Sequence, residues 1–85
     1  DTIGIGITYY NIGSIYDQIE NNEQALFYFK KSLIYFNVKS YFPGIIAVKA
    51  VIVEYNITNG NYNEALNSNN KLLKLVEEKG NKENS

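Results

Sequence analysis

The 85-residue chain contains no cysteine, no histidine and no arginine. Each absence removes a class of function. Without Cys or His there is no disulfide framework, no thiol nucleophile, no imidazole base and none of the common zinc ligand sets. Arg is the side chain that most often forks onto phosphate oxygens and guanine edges. Its absence, with eight basic residues against nine acidic ones and a net charge of −1, leaves nucleic-acid binding by this segment unexpected. Hydrophobic residues at 45% and charged residues at 20% match an ordinary globular chain, and neither a membrane span nor a disordered tail fits those totals. The length allows one small domain and no two-domain enzyme. Asp17 with Glu20, or Glu77 with Glu78, can be drawn as acid and base, but no nucleophile pair or metal cluster accompanies them. They read as solvated surface, and no catalysis, metal or cofactor is expected. Asn56-Ile57-Thr58 fits a glycosylation acceptor that chance supplies in an Asn-rich chain. The chain opens at Asp1 with no charged-then-apolar leader, as a segment excised from a longer protein would, and the expected setting is cytoplasmic.

What is present is a repeat. A shift of forty residues, without gaps, lays Gly4-Ile5 on Gly44-Ile45, Ile12 on Ile52, Asn21 on Asn61, Ala25-Leu26 on Ala65-Leu66, Lys31 on Lys71 and Leu33 on Leu73. Each unit reads as two helices. In residues 2–19 the apolar side chains Ile5, Tyr9, Ile12, Tyr16 and Ile19 recur at steps of four and three, the spacing of one helical face. Gly13 lies beside Ile12, where a missing side chain lets a neighbouring helix come close. Glu20-Asn21-Asn22 interrupts the pattern, and Asn21 or Asn22 suits the cap of the next helix. That helix, 22–38, carries Ala25, Phe29, Ser32, Leu33 and Phe36 inward. Pro43 suits the first turn of a third helix over 43–59 with Ile45, Val48, Ile52 and Tyr55 inward. Gly60 supplies a positive φ in the turn that follows. A fourth helix, 62–79, turns Ala65, Leu66, Leu72, Leu73 and Val76 inward and stops at Gly80. The expected organisation is repeat 1 at 1–40, repeat 2 at 41–80, and a frayed tail at 81–85 that begins a further repeat.

Tyr9-x2-Ile12-Gly13-x2-Tyr16 followed by Ala25-x3-Phe29 resembles the tetratricopeptide repeat motif. In the second unit the same places hold Lys49, Ile52, Val53, Asn56, Ala65 and Asn69, of which Ile52 and Ala65 fit. Val53 in place of glycine implies a rearranged helix contact. The forty-residue period exceeds the usual 34 and is similar to the long units of bacterial peptide-sensing regulators and several scaffold proteins. The resemblance implies an all-α fold, two stacked helix-turn-helix repeats forming an α-solenoid fragment of a right-handed superhelix, with a groove walled by the first helix of each pair.

At about 100° per residue, the side of the first helix opposite Tyr9, Ile12 and Tyr16 holds Ile7, Asn11, Ser14 and Gln18, flanked by Tyr10 and Asp17. Ala47, Ala50 and Glu54 lie on the matching side of the third helix. The resemblance makes these the peptide-binding groove, with Asn11, just before Ile12-Gly13, as the clamp on a ligand backbone. Amide side chains both donate and accept, which suits a peptide. Relatives that grip a terminal carboxylate do so with Lys and Asn where this chain has Tyr10, Ser14, Ala50 and Glu54, so that ligand is not expected. Asp17 and Glu54 favour a neutral or basic segment. Phe27 and Ile34, with Tyr28 and Tyr35 beside them, form an apolar patch on the outer side of the second helix where the second unit has Asn67 and Lys74. These four are candidate self-association residues. The expected partner is thus a protein or peptide segment or a second copy of the chain, and not a membrane. Alternative roles are a structural packing unit or the effector-sensing part of a bacterial transcription regulator.

Overall fold

The computed structural model describes the backbone of residues 1–84 and the side chains of residues 1–80. The architecture is all-α: α1 (Thr2–Gln18), α2 (Asn22–Val38), α3 (Phe42–Thr58) and α4 (Tyr62–Asn84). Each helix begins twenty residues after the one before it, and the reason lies in the turns. Glu20, Ser40 and Gly60 have φ of 62°, 48° and 79°, and the backbone closes identically around each. The Glu20 N–H bonds the Asp17 carbonyl at 3.0 Å and the Asn21 N–H the Tyr16 carbonyl at 2.9 Å; Ser40 and Tyr41 repeat this on Asn37 and Phe36, and Gly60 and Asn61 on Ile57 and Asn56. This pair of bonds satisfies carbonyls a helix end leaves unpartnered. Asn21 then caps α2, its Oδ1 accepting from the Gln24 N–H at 3.3 Å. At the next end, Phe36 and Tyr41, five residues apart, pack rings at 5.4 Å, the apolar contact that accompanies this motif.

Gly80 stands where a fourth such turn is expected from the sequence, but α4 continues through it to Asn84. Asn81, Lys82, Glu83 and Asn84 include no proline or second glycine, so the backbone ladder extends past a glycine that costs about 1 kcal/mol in a helix. The expected frayed tail is therefore helical as far as Asn84, and Ser85 lies outside the described residues. No helix among the described residues is long and apolar enough to cross a membrane.

The chain forms two compact units, Asp1–Val48 and Lys49–Ser85, divided within α3. In the first, α1 and α2 pack along one another through rings set on glycines. A Cβ added at Gly13 would come within 2.9 Å of the Phe29 ring, one at Gly6 within 2.7 Å of Phe36, and one at Gly44 within 2.6 Å of the other edge of Phe36. Phe36 is thus held between two glycines of different helices. Ala25, Phe29, Phe36, Ile45 and Val48 are buried, together with Ser32, whose hydroxyl donates to the Phe29 carbonyl at 2.7 Å.

That packing corrects the inward face of α1. Gly6 and Gly13 are its buried residues, Tyr9, Tyr10, Ile12 and Tyr16 are half-buried, and Ile5 and Ile19 are exposed. The face is turned by roughly a quarter revolution, because α2 approaches where side chains are smallest. In the second unit Val53, Ala65 and Leu72 are buried. Leu66, Leu73 and Val76, expected inward, are exposed.

Candidate functional site

Ile7 and Tyr10 of α1, Phe36 of α2, Tyr41 of the turn, and Pro43, Gly44 and Ala47 of α3 line a cavity of about 210 Å³. Every lining residue lies in the first unit. Its position follows from the packing described above. Seating Phe36 on Gly6 and Gly44 brings the starts of α1 and α3 toward one ring, and the Tyr41 turn closes one side. Tyr10 is braced by Phe29, with ring centroids 5.2 Å apart and planes at 56°. The walls are aromatic and aliphatic, and no charged residue lines them. Such a recess accepts an apolar side chain and excludes an ion.

The structure brings together three of the residues expected in the groove: Ile7, Tyr10 and Ala47. Tyr10 is half-buried and belongs to the α1–α2 contact and to the cavity at once. Asn11 is exposed one turn after Ile7 on α1 and is not among the residues that line the cavity. Ser14 is half-buried and donates to the Tyr10 carbonyl at 3.0 Å, so its hydroxyl is already engaged within its helix. Asp17 and Gln18 are exposed at the end of α1. Ala50 is half-buried and Glu54 exposed, both in the second compact unit.

Phe36, Tyr41, Pro43 and Gly44 were not foreseen as part of this site. Two signals pointed to them: Phe36 opposite a pair of glycines, and an aromatic residue five places after it at a helix end.

The proposed self-association patch separates into two parts. Phe27 and Ile34 are exposed as expected, whereas Tyr28 and Tyr35 are half-buried because they stack on α1. The order Tyr35, Tyr9, Tyr28, Tyr16 forms a column alternating between α2 and α1, with centroid spacings of 5.6, 6.1 and 5.6 Å and interplanar angles of 29°, 22° and 3°. The reversed numbering on the two sides shows that the helices run antiparallel. Phe27 stands edge-on to Tyr28 at 5.1 Å, and the Lys31 ammonium lies 5.3 Å from the Tyr9 centroid and 5.4 Å from that of Phe27. Ring faces attract a cation at such distances. Tyr28 and Tyr35 therefore hold the helix pair together, and Phe27 and Ile34 alone face outward.

Comparison with known proteins found no match among curated proteins and none among solved structures. Repeats of the tetratricopeptide family generally mediate protein–protein interaction, and a family model described as "Tetratricopeptide repeat" matches residues 7–33, reaching from the second turn of α1 into the fourth turn of α2.

Proposed function

We propose that the chain is a non-catalytic interaction module whose first unit binds a protein or peptide segment. One apolar side chain of the segment enters the cavity, and the Asn11 amide holds its backbone. The observation that carries this reading is the cavity itself, an uncharged recess next to an exposed amide on the same helix. A peptide offers backbone donors and acceptors at every residue and an apolar side chain at intervals, so both features are used together. Asp17, farther along α1, favours a neutral or basic segment. The forty-residue unit, with repeats at 1–40 and 41–80, is similar to the long variant found in bacterial peptide-sensing regulators and in scaffolds, and a peptide ligand suits either setting. A cytoplasmic location belongs to the same proposal.

The test is a library of short random peptides displayed on phage and selected on the 85-residue chain. Selected peptides should share one large apolar residue and lack surplus acid. Ala47→Leu, which fills the cavity, should weaken their binding by about tenfold or more, and Asn11→Ala by about fivefold. Circular dichroism melts should leave both variants folded. Peptides that bind both variants as they bind the parent chain would remove the proposed site.

A further inference from the structure

The outer side of α2 carries a recess of about 260 Å³ lined by Phe27, Lys30, Lys31 and Ile34. Helical spacing puts all four side chains on one face, over two turns. Phe27 and Ile34 are 54% and 62% exposed. The equivalent places in α4 hold Asn67, Asn70, Lys71 and Lys74, all exposed. A solvated helix face is polar, as that one is. The apolar pair on α2 departs from this pattern within the same chain, and an exposed apolar cluster rimmed by charge marks a contact surface.

Charge narrows the choice of partner. The chain carries a net charge of −1, yet two of the three lysines in the first unit line this recess, and the one acid of α2, Glu23, lies a turn before Phe27. Among the described residues neither Lys30 nor Lys31 is paired with a carboxylate. The Lys31 ammonium is held instead between the rings of Tyr9 and Phe27. A contact with ring faces fixes a cation and leaves its N–H donors for an acceptor. A second copy set face to face on this patch would place its Lys30 and Lys31 against the same lysines of the first, and like charges across an interface are costly. An anionic membrane calls for a cluster of about four to eight basic residues, twice or more what this face offers.

We propose that this face binds an acidic amphipathic helix of a partner protein. Apolar side chains of that helix enter between Phe27 and Ile34, and Asp or Glu residues beside them pair with Lys30 and Lys31. An acidic helix satisfies both parts of the recess, because apolar and charged residues recur on it at the same three- and four-residue steps. The inference is independent of peptide binding in the cavity, which shares no lining residue with this recess.

The experiment is a library of helical peptides displayed on phage and selected on the 85-residue chain. The library is first depleted on a variant carrying Phe27→Asn and Ile34→Lys, which copies the second pair and removes peptides that bind the cavity. Recovered peptides should carry apolar residues at steps of three and four with a surplus of Asp and Glu. Fluorescence anisotropy of synthetic copies should show a loss of about tenfold or more on Lys31→Glu, and weaker binding as salt is raised. Circular dichroism checks that each variant folds. Should the double variant unfold, Ile34→Lys alone, at the more exposed position, takes its place. Recovery of no peptides or of basic ones, affinity indifferent to Lys31→Glu, or a dimer in sedimentation that Phe27→Asn dissolves would each overturn the proposal. So would capture of the chain by phosphatidylserine vesicles that Lys31→Glu abolishes.

Discussion

The two helix pairs begin their helices in the same register and place their bulky side chains differently. In α1–α2 the first helix contributes Gly13 and the second contributes Phe29, whose ring fills the space a Cβ would take. Forty residues on, the same places hold Val53, which is buried, and Asn69, which is exposed. Bulk has moved from the second helix to the first. What recurs is the twenty-residue register of the helices and a turn geometry, while the side chains differ. The aromatic cavity depends on Phe36 and on Tyr10 braced by Phe29, and the second pair has Val76, Ala50 and Asn69 in those places.

Substitutions can break or sharpen this contrast. The largest effect is expected at Phe36, where truncation to Ala empties the space between Gly6 and Gly44 and should cost about 3–5 kcal/mol. Val76→Ala, the equivalent change in α4, should stay within about 1 kcal/mol because Val76 is exposed. Urea denaturation followed by far-ultraviolet circular dichroism measures both, and equal losses would remove the distinction drawn here.

Next comes the exchange of bulk itself. Gly13→Val places atoms against the Phe29 ring and should destabilise by roughly 2 kcal/mol. Adding Phe29→Asn, which copies the second pair, should cost less than the sum of the two single changes, with a coupling of about 1 kcal/mol. Additive losses in that cycle would mean that the two positions do not compensate one another.

A smaller effect separates the turns. Gly60 adopts its positive φ freely, while Glu20 and Ser40 adopt theirs against the Cβ. Gly60→Ala should therefore lower stability by about 1 kcal/mol, and Ser40→Gly should raise it by about 0.5 kcal/mol, the gain reduced by the added freedom of the unfolded chain. The smallest contrast lies at the caps. Asn21→Ala should cost about 0.5–1 kcal/mol, more than the same change at Asn61, whose side-chain amide donates instead to Asn56 Oδ1 at 3.5 Å at an exposed turn. Thermal denaturation of the paired variants resolves both differences.

Much of the fold was legible because it rests on local rules. The apolar steps of three and four, the Asn21 cap, Pro43 near the start of α3 and the positive φ at Gly60 each belong to a single element. The missing parts depend on what a second element does. Counting apolar positions along α1 gives no weight to glycine, yet Gly6 and Gly13 mark the centre of its buried side, so the face assigned around Ile12 was a quarter turn away. The exposure of Leu66 and Leu73 was illegible because identical residues, Leu26 and Leu33, are partly buried in the first pair, and sequence identity does not record which neighbour is there to cover them. The cavity required knowing that Phe36 sits between two glycines, a relation spread over residues 6, 36 and 44. Of the residues that line the cavity, Ile7, Tyr10 and Ala47 were legible from the helix wheel, because one face of each helix suffices to choose them.

The tyrosine column described above has an optical consequence. The protein has eight tyrosines and no tryptophan, and the four in the column all lie in the first unit. Phenol chromophores held less than 7 Å apart in a fixed relative orientation couple their electronic transitions and rotate near-ultraviolet light strongly, while isolated tyrosines contribute weakly. Loosening of α1 from α2 is therefore visible in the near-ultraviolet dichroism of the unlabelled protein, and that signal reports on the same helix pair that walls the proposed binding cavity.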